Sequence, residues 1–265
     1  MRRLCALGLF LALLHVSSCL LIGAFNIQKF GNKKSQDADV MKIISMIVHR
    51  YDIILIQEVL DSDQKVIQRL MNEVNAVSPQ YNFIASAPLG RSIYKERYLY
   101  LYKHNTVSVV FNLQNMATVF ARPPFVVKFS SIQSEFSLIP IHTCPNCAVG
   151  EIDALVDVAV AAGYFSNNDI MLLGDFNAGG SYVKSNDWSY IRLRSNYFHW
   201  LIGDNVDTMV SRTGQAHDRI VVTPTLNSRV VTGSARVFNF QAQYGLTLAQ
   251  AEAVSDHFPV EVQLS

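Results

Sequence analysis

Residues 169–180 read Asp-Ile-Met-Leu-Leu-Gly-Asp-Phe-Asn-Ala-Gly-Gly, an apolar run followed at once by polar residues and glycines. The apolar part, residues 170–173, has the length of a fully buried strand, and Gly174 ends it. Loops at the ends of buried strands are where α/β folds place chemistry, because the sheet aims the side chains while the loop admits substrate. Asp175 and Asn177 are therefore candidates for a site, although Asp, Asn and Gly also favour ordinary turns for backbone reasons.

The first nineteen residues have the pattern of a secretory signal peptide. Arg2 and Arg3 give a positive start, residues 4–14 are an apolar segment too short to span a bilayer, and small residues precede the expected cleavage site. We predict a leader over 1–19, one domain over 20–265 and secretion through the secretory pathway. No later segment is apolar for long enough to anchor the chain, so we expect no stable membrane association.

The charge balance restricts how the protein can bind nucleic acid. The 265 residues include 22 Lys and Arg against 21 Asp and Glu, and loss of Arg2 and Arg3 leaves the mature chain near neutrality. The net charge of the protein is therefore too small to bind a polyanion such as nucleic acid. Any binding of nucleic acid must come from a local patch of basic residues. The segment 89–100 combines Arg91 and Tyr94 with further basic and aromatic residues and is the best candidate, although a charged hairpin edge is an equally simple interpretation.

Two cysteines are left once the leader is removed, Cys144 and Cys147, in the sequence Cys-Pro-Asn-Cys. A local disulfide is the favoured interpretation for an exported protein. Zinc bound by His142 and both thiols, or a pair of free thiols, are the alternatives. Because this is a sparse disulfide framework, stability must come mostly from core burial.

Apolar periodicity predicts helices over 40–50, 66–74 and 151–163, alternating with short strands and a central meander. Polar residues stand at the strand ends. Glu58 directly follows Ile-Ile-Leu-Ile, where burial of a carboxylate is costly unless a metal or a cation pairs with it. The strand-end residues are Asn26, Glu58, His142, Asp175, Asn177, Asp218, Asp256 and His257. If the fold gathers them, they supply acids for a divalent cation and two histidines for proton transfer, which suits metal-assisted phosphoryl transfer.

Several segments together resemble the deoxyribonuclease I family, including its gamma-type relatives. They are AFNIQKFG at 24–31, YDIILIQEV at 51–59, MLLGDFNAGGSYV at 171–183, HDRIVV at 217–222 and SDHFPVEV at 255–262, and they occur in family order across nearly the whole mature chain. The resemblance implies an α/β fold, a four-layer sandwich of two packed mixed β-sheets flanked by helices. It also implies membership of the larger endonuclease, exonuclease and phosphatase group.

The resemblance further implies a divalent-metal-dependent endonuclease that cuts double-stranded DNA as a monomer and leaves 5′-phosphate ends. Matched position by position, the catalytic pairs are Glu96 with His142 and Asp218 with His257. The metal ligands, for Mg²⁺ or Mn²⁺, are Asn26, Glu58 and Asp256; the phosphate contacts are Asp175 and Asn177; the DNA-binding residues are Arg91, Tyr94 and Arg122. We assign His257 as the base and His142 as the acid, with the reverse assignment also open.

The sequence departs from the family pattern at two stabilising features. The usual long-range disulfide would need cysteines where this chain has Gly179 or Gly180 and Gln215. The family's calcium site near Asp207 lacks one of its usual residues here, since Met209 stands in place of a hydroxyl residue. We therefore expect structural Ca²⁺ sites to be weakened and the fold to resist heat less well. The alternative functions are a catalytically weakened binding protein, toward actin as for some relatives, and a phosphodiesterase acting on an ester other than nucleic acid.

Overall fold

Two six-stranded mixed β-sheets pack face to face in the computed structural model, which describes residues 19–265 except 79, 116 and 212. All of the predicted leader except Cys19 lies outside the described residues. In sheet order, the first sheet contains β11 (Arg236–Val237), β12 (Val260–Leu264), β1 (Leu20–Phe30), β2 (Ile53–Val59), β4 (Arg97–Lys103) and β3 (Tyr81–Ala85). The second contains β5 (Val107–Gln114), β6 (Phe125–Ser131), β7 (Glu135–His142), β8 (Ile170–Asp175), β10 (Asp218–Val222) and β9 (His199–Trp200).

Helices cover the outer faces of both sheets. The longer ones on the first sheet are α2 (Ala38–His49), α3 (Lys65–Val74) and α7 (Leu248–Val254), accompanied by the short α1 (Asn32–Ser35) and α6 (Phe240–Gln243). The second sheet carries α4 (Ala148–Ser166), and α5 (Pro224–Asn227) follows β10. This helix–sheet–sheet–helix layering confirms the predicted fold class.

Burial on both faces explains the uninterrupted apolar runs of the central strands. In β2, Ile53 and Leu55 face the core between the sheets, while Ile54 and Ile56 face the core beneath the helices. Successive strand side chains point to opposite faces, so a strand with two buried faces needs apolar residues at every position. These runs make the site's scaffold rigid.

Among the described residues, none of the helices is both long enough and apolar enough to cross a membrane.

Candidate active site

Strand pairing brings the polar strand ends together around Asp175. The parallel pairing of β7 with β8 puts His142 opposite Asp175, and the antiparallel pairing of β10 with β8 puts Asp218 opposite it on the other side. From the first sheet, the parallel pairing of β1 with β2 aligns Asn26 with Gln57. The predicted convergence of strand ends is therefore present in the fold.

Two buried histidines each contact a carboxylate through Nδ1 and face the same third carboxylate through Nε2. His142 Nδ1 lies 2.6 Å from Glu96 Oε1, and His257 Nδ1 lies 2.7 Å from Asp218 Oδ2. Their Nε2 atoms lie 3.6 and 3.8 Å from Asp175 Oδ2. Both predicted His–carboxylate pairs are thus assembled, with their reactive nitrogens directed at one point.

The charges in this cluster shift the pKa values of its histidines and of Asp175. Burial lowers the pKa of His142, but the charge and hydrogen bond of Glu96 outweigh burial, so the pKa is raised. In the same way Asp218 and Asp175 outweigh burial and raise the pKa of His257 to about 10. Burial raises the pKa of Asp175, yet the two histidines reverse the shift and leave that pKa below its usual value. The neighbouring carboxylates therefore stabilise the protonated form of both imidazoles by more than burial destabilises it.

Asn26 and Glu58 lie next to this cluster in a strained stretch of backbone. Glu58 has φ of 58° and Lys29 has φ of 53°, the left-handed region that non-glycine residues seldom adopt. The strained turn lets the Lys29 backbone N–H donate to Glu58 Oε2 at 2.8 Å. The Asn26 amide donates to Glu58 Oε1 at 3.2 Å and to Asp175 Oδ2 at 3.1 Å, and so links the two acids.

Asp256 completes a set of oxygen ligands on this side. Its Oδ2 accepts from Gln28 Nε2 at 2.7 Å, while its Oδ1 is buried and has no hydrogen-bond partner among the described residues. Carboxylate and amide oxygens are the ligands that Mg²⁺ and Mn²⁺ prefer, so an unpartnered buried oxygen here fits a hard cation. Asp175, Asp218 and His257 form a second group that could hold a metal, with ligand atoms within 4.8 Å of one another.

Asn177 connects the site to the segment that follows His142. Its side-chain amide donates to the Thr143 carbonyl at 3.1 Å, and its backbone N–H donates to Asp175 Oδ1 at 2.9 Å. Asn177 is buried and has φ of 46°, so its conformation is fixed by these contacts. The loop after β8 is therefore not an ordinary turn, because Asn177 ties it to the segment after His142.

The three predicted DNA-binding residues have different settings. Arg91 is exposed and donates to the carbonyls of residues 118 and 119, and Tyr94 is 42% exposed. Burial of part of the ring and the neighbouring Glu58 raise the pKa of Tyr94, which therefore stays a phenol. Arg122 is largely buried, with Nε 3.0 Å from Glu96 Oε1 and hydrogen bonds to the His142 and Thr143 carbonyls, and its contact with DNA stays a prediction. These contacts orient the Glu96–His142 pair and leave little of Arg122 at the surface.

Cys144 and Cys147 are free thiols in the structure, and the disulfide between them stays a prediction. The two residues flank one 3₁₀ turn, in which Cys147 N donates to Cys144 O at 2.8 Å. The turn places the side chains in hydrogen-bond contact, and this contact raises the pKa of Cys147.

Gln57 is a site residue that sequence reasoning missed. It is fully buried; its Nε2 donates to the Ile141 carbonyl at 2.6 Å and its Oε1 accepts from Asp175 N at 3.0 Å, so it joins the two sheets beneath the site. A Cβ on Gly174 would lie 2.7 Å from Gln57 Nε2, so only glycine leaves room for this amide. The only sign of this residue in the sequence is that a polar side chain stands directly before Glu58, after an apolar run.

Comparison with known proteins agrees with this geometry. The model of the Endonuclease/Exonuclease/phosphatase family matches residues 23–257, so the chain belongs to that family. A solved endonuclease/exonuclease/phosphatase from Bacteroides vulgatus shares the fold, with TM-score 0.65 and 17% identity over 94% of this chain and 99% of that one.

Within that family the chain belongs to the deoxyribonuclease I group. It is 47% identical to Deoxyribonuclease-1 of Oryctolagus cuniculus over 267 residues, which cover 96% of this chain and 95% of the relative. It is also 47% identical to Deoxyribonuclease-1-like 2 of Mus musculus, over 93% of this chain and 92% of the relative. The family resemblance is confirmed, and these relatives support the predicted class of enzyme, an endodeoxyribonuclease.

Proposed function

We propose that this protein is a secreted, divalent-metal-dependent endonuclease that hydrolyses phosphodiester bonds of double-stranded DNA and leaves 5′-phosphate ends. The observation that carries the proposal is the pair of buried His–carboxylate contacts whose Nε2 atoms face Asp175 Oδ2 at 3.6 and 3.8 Å. Such an arrangement suits transfer of one proton from water and one to a leaving oxygen on opposite sides of a phosphate.

Each residue of the two pairs has a distinct task. Glu96 and Asp218 hold the Nδ1 side of the rings, so each Nε2 is free to exchange a proton with the substrate. We keep His257 as the base and His142 as the acid. Asp256 Oδ1, a proposed metal ligand, lies 3.7 Å from His257 Nε2, so His257 is the ring whose proton a bound cation would repel.

Glu58, Asn26 and Asp256 would hold the cation, Mg²⁺ or Mn²⁺, which would offset the charge that develops on the phosphate. This set is favoured over the group of Asp175, Asp218 and His257, because Asp256 Oδ1 is buried without a hydrogen-bond partner among the described residues, whereas Asp218 Oδ2 already lies 2.7 Å from His257 Nδ1. Structural calcium is less well supported. Asp207 accepts backbone N–H groups of Met209 and Gly214, at 3.1 and 3.0 Å, so each of its carboxylate oxygens already has a protein partner.

DNA is the proposed substrate, and the exposed Arg91 and Tyr94 are the proposed contacts, Tyr94 lying close to Glu58 and Glu96. Arg122 acts as a positioning residue in this account.

Secretion is proposed from the leader sequence, and a monomer from the family resemblance. The alternative of a weakened member that binds an actin-like partner is disfavoured, because both histidines keep short contacts with their carboxylates.

A test of product chemistry separates DNA cleavage from hydrolysis of another ester. The purified mature protein is incubated with Mg²⁺ or Mn²⁺ and either linear double-stranded DNA or bis(p-nitrophenyl) phosphate. We expect DNA fragments that a ligase joins without prior kinase treatment, which marks 5′-phosphate ends. Fragments that need kinase treatment, or turnover of the small ester with intact DNA, would contradict the proposal.

A further inference from the structure

The Cys144–Cys147 pair lies outside the catalytic cluster and has no part in the proposed chemistry. Both residues are partly exposed; Cys144 precedes the turn Pro145–Cys147 and Cys147 ends it, immediately before the 19-residue helix α4. The Cys147 thiol hydrogen-bonds to Cys144, so the two sulfur atoms are already neighbours. Two accessible thiols in Cys-x-x-Cys spacing at a helix N-terminus have the arrangement that promotes thiol–disulfide exchange.

We propose that Cys144 and Cys147 form a reversible redox pair that exchanges with small disulfides of the glutathione type. Cys144 is the attacking sulfur, because it receives the Cys147 hydrogen bond, and Cys147, at the N-cap of α4, is the resolving thiol that carries the proton. Its thiolate attacks the small disulfide, forms a mixed disulfide and releases one thiol. Cys147 then loses its proton and attacks the Cys144 sulfur, releasing the second thiol. The protein gives up two electrons and two protons, and the disulfide becomes two thiols.

The pair is connected to the active site through the residue that precedes it. The Thr143 carbonyl accepts from Asn177 Nδ2 at 3.1 Å and from Arg122 Nη2 at 2.8 Å. A change in the Cys144 backbone therefore acts directly on a phosphate-contact residue and on the arginine that orients Glu96.

A second connection runs through a buried acid in α4. Glu151 Oε2 accepts from Cys144 N at 3.2 Å, and Glu151 Oε1 accepts from Ala121 N at 2.8 Å, next to Arg122. Glu151 thus ties the dithiol turn to the loop that carries Arg122. Closing the disulfide restricts this turn, so we infer that the oxidised form holds the His142 side of the site more rigidly.

Mass spectrometry tests the redox pair without reference to nuclease activity. The mature protein is equilibrated in buffers of graded glutathione to glutathione disulfide ratio, quenched with acid, alkylated and digested. We expect a 144–147 internal disulfide that forms and disappears reversibly across the series. In the Cys147→Ser variant the resolving thiol is missing, so we expect a lasting glutathione adduct on Cys144. Two alkylated thiols in every buffer, or only glutathione adducts in the wild type, would overturn the proposal.

A second readout tests the link to the site and rests on the proposed nuclease function. We expect the oxidised protein to nick plasmid about two-fold faster than the reduced protein, because its loop is pre-organised. The Cys144→Ser, Cys147→Ser variant should nick at one rate in both buffers. Equal nicking rates for the oxidised and reduced wild type would show that the redox pair does not act on the active site. The mass-spectrometric measurement would still decide whether the redox pair exists. Absence of nicking in both forms would instead contradict the nuclease function.

Discussion

Single buried charges in the site are tolerable only because each has a partner of opposite sign. Asp175 and Asp218 are almost fully buried, and both lie against the His257 ring. An unpaired buried charge costs several kcal/mol, so removal of one member leaves its neighbour strongly perturbed. The role of each residue can therefore be read from what its loss does to the others.

The Asp218→Asn variant tests the orienting role of one carboxylate. We expect nicking to slow by about 100-fold or more, since a general acid–base group contributes 10²–10⁴-fold. Loss of the negative charge also destabilises the protonated ring, so the pKa of His257 should fall, as measured by NMR titration of the histidine. The exposed Asp39→Asn variant is a matched control with unchanged rate. An unaltered rate in Asp218→Asn would exclude the pair as catalytic.

Gln57→Leu tests the buried amide beneath the site. The substitution leaves the Ile141 carbonyl and Asp175 N without their partner, and each unsatisfied buried group costs about 1–3 kcal/mol. We expect the free energy of unfolding to drop by about 2 kcal/mol or more in urea titrations. Gln36→Leu, at an exposed position, should leave it nearly unchanged. Equal stability of both variants would show that the amide does not join the sheets energetically.

At the scale of elements, the loop after β8 is held by packing where relatives of this family are expected to have a disulfide. Both candidate glycines lie against Gln215: a Cβ on Gly180, whose φ is +62°, would lie 2.8 Å from Gln215 Cδ, and a Cβ on Gly179 would lie 3.4 Å from Gln215 Cβ. The Gln215 side chain therefore lies against Gly180 at the position of the missing covalent tie. The left-handed backbone favours glycine at residue 180, while the end of the flexible Gln215 side chain could move aside.

The Gly180→Cys, Gln215→Cys variant should restore that tie. Closing a loop of this length stabilises by about 2–4 kcal/mol, and a left-handed non-glycine residue costs about 1 kcal/mol. We expect oxidation to raise the free energy of unfolding by about 2 kcal/mol over the wild type. Gly180→Cys alone should be less stable than the wild type. A double variant that forms no disulfide under oxidising conditions would contradict the placement of Gly180 against Gln215.

The sequence predicted the elements well where one physical rule dominates. Continuous apolar runs predicted β2 and β8, and apolar residues at a 3.6-residue period predicted α2, α3 and α4. Both patterns arise from burial in the core. The strand-end polar residues converged as expected because strand register fixes them. Arg122 and Gln57 could not be placed in this way. Their contacts depend on side chains far apart in sequence, which neither periodicity nor spacing encodes.

The whole molecule is stabilised at the edge of the first sheet by a buried acid, Glu261 of β12. Arg50 donates to both of its carboxylate oxygens at 2.6 Å, Arg236 donates at 2.8 Å, and Tyr51 donates at 2.9 Å. Burial raises the pKa of Glu261, but the hydrogen bonds from both arginines outweigh it and hold the pKa below 4.5. This cluster links α2 to the outer strands.

Glu261→Gln should therefore destabilise the molecule in a pH-dependent way. Because the folded pKa is depressed, the carboxylate contributes its full stability above pH 4.5 and loses it as the pH falls through the folded pKa. We expect a loss of about 1–2 kcal/mol at pH 7, less than for a fully buried pair because Arg50 and Arg236 are partly exposed, and a smaller loss at acidic pH. Urea unfolding at a series of pH values measures it. A difference that is constant with pH would contradict the charged role of Glu261.

Metal-dependent nicking of supercoiled plasmid tests the central claim most directly. The mature wild type, His142→Ala and His257→Ala are compared with Mg²⁺ or Mn²⁺ and with excess chelator. We expect the wild type to nick only when the metal is present, and each histidine variant to be slower by about 100-fold or more. Failure of the wild type to nick with either metal, or full activity in both histidine variants, would contradict the account.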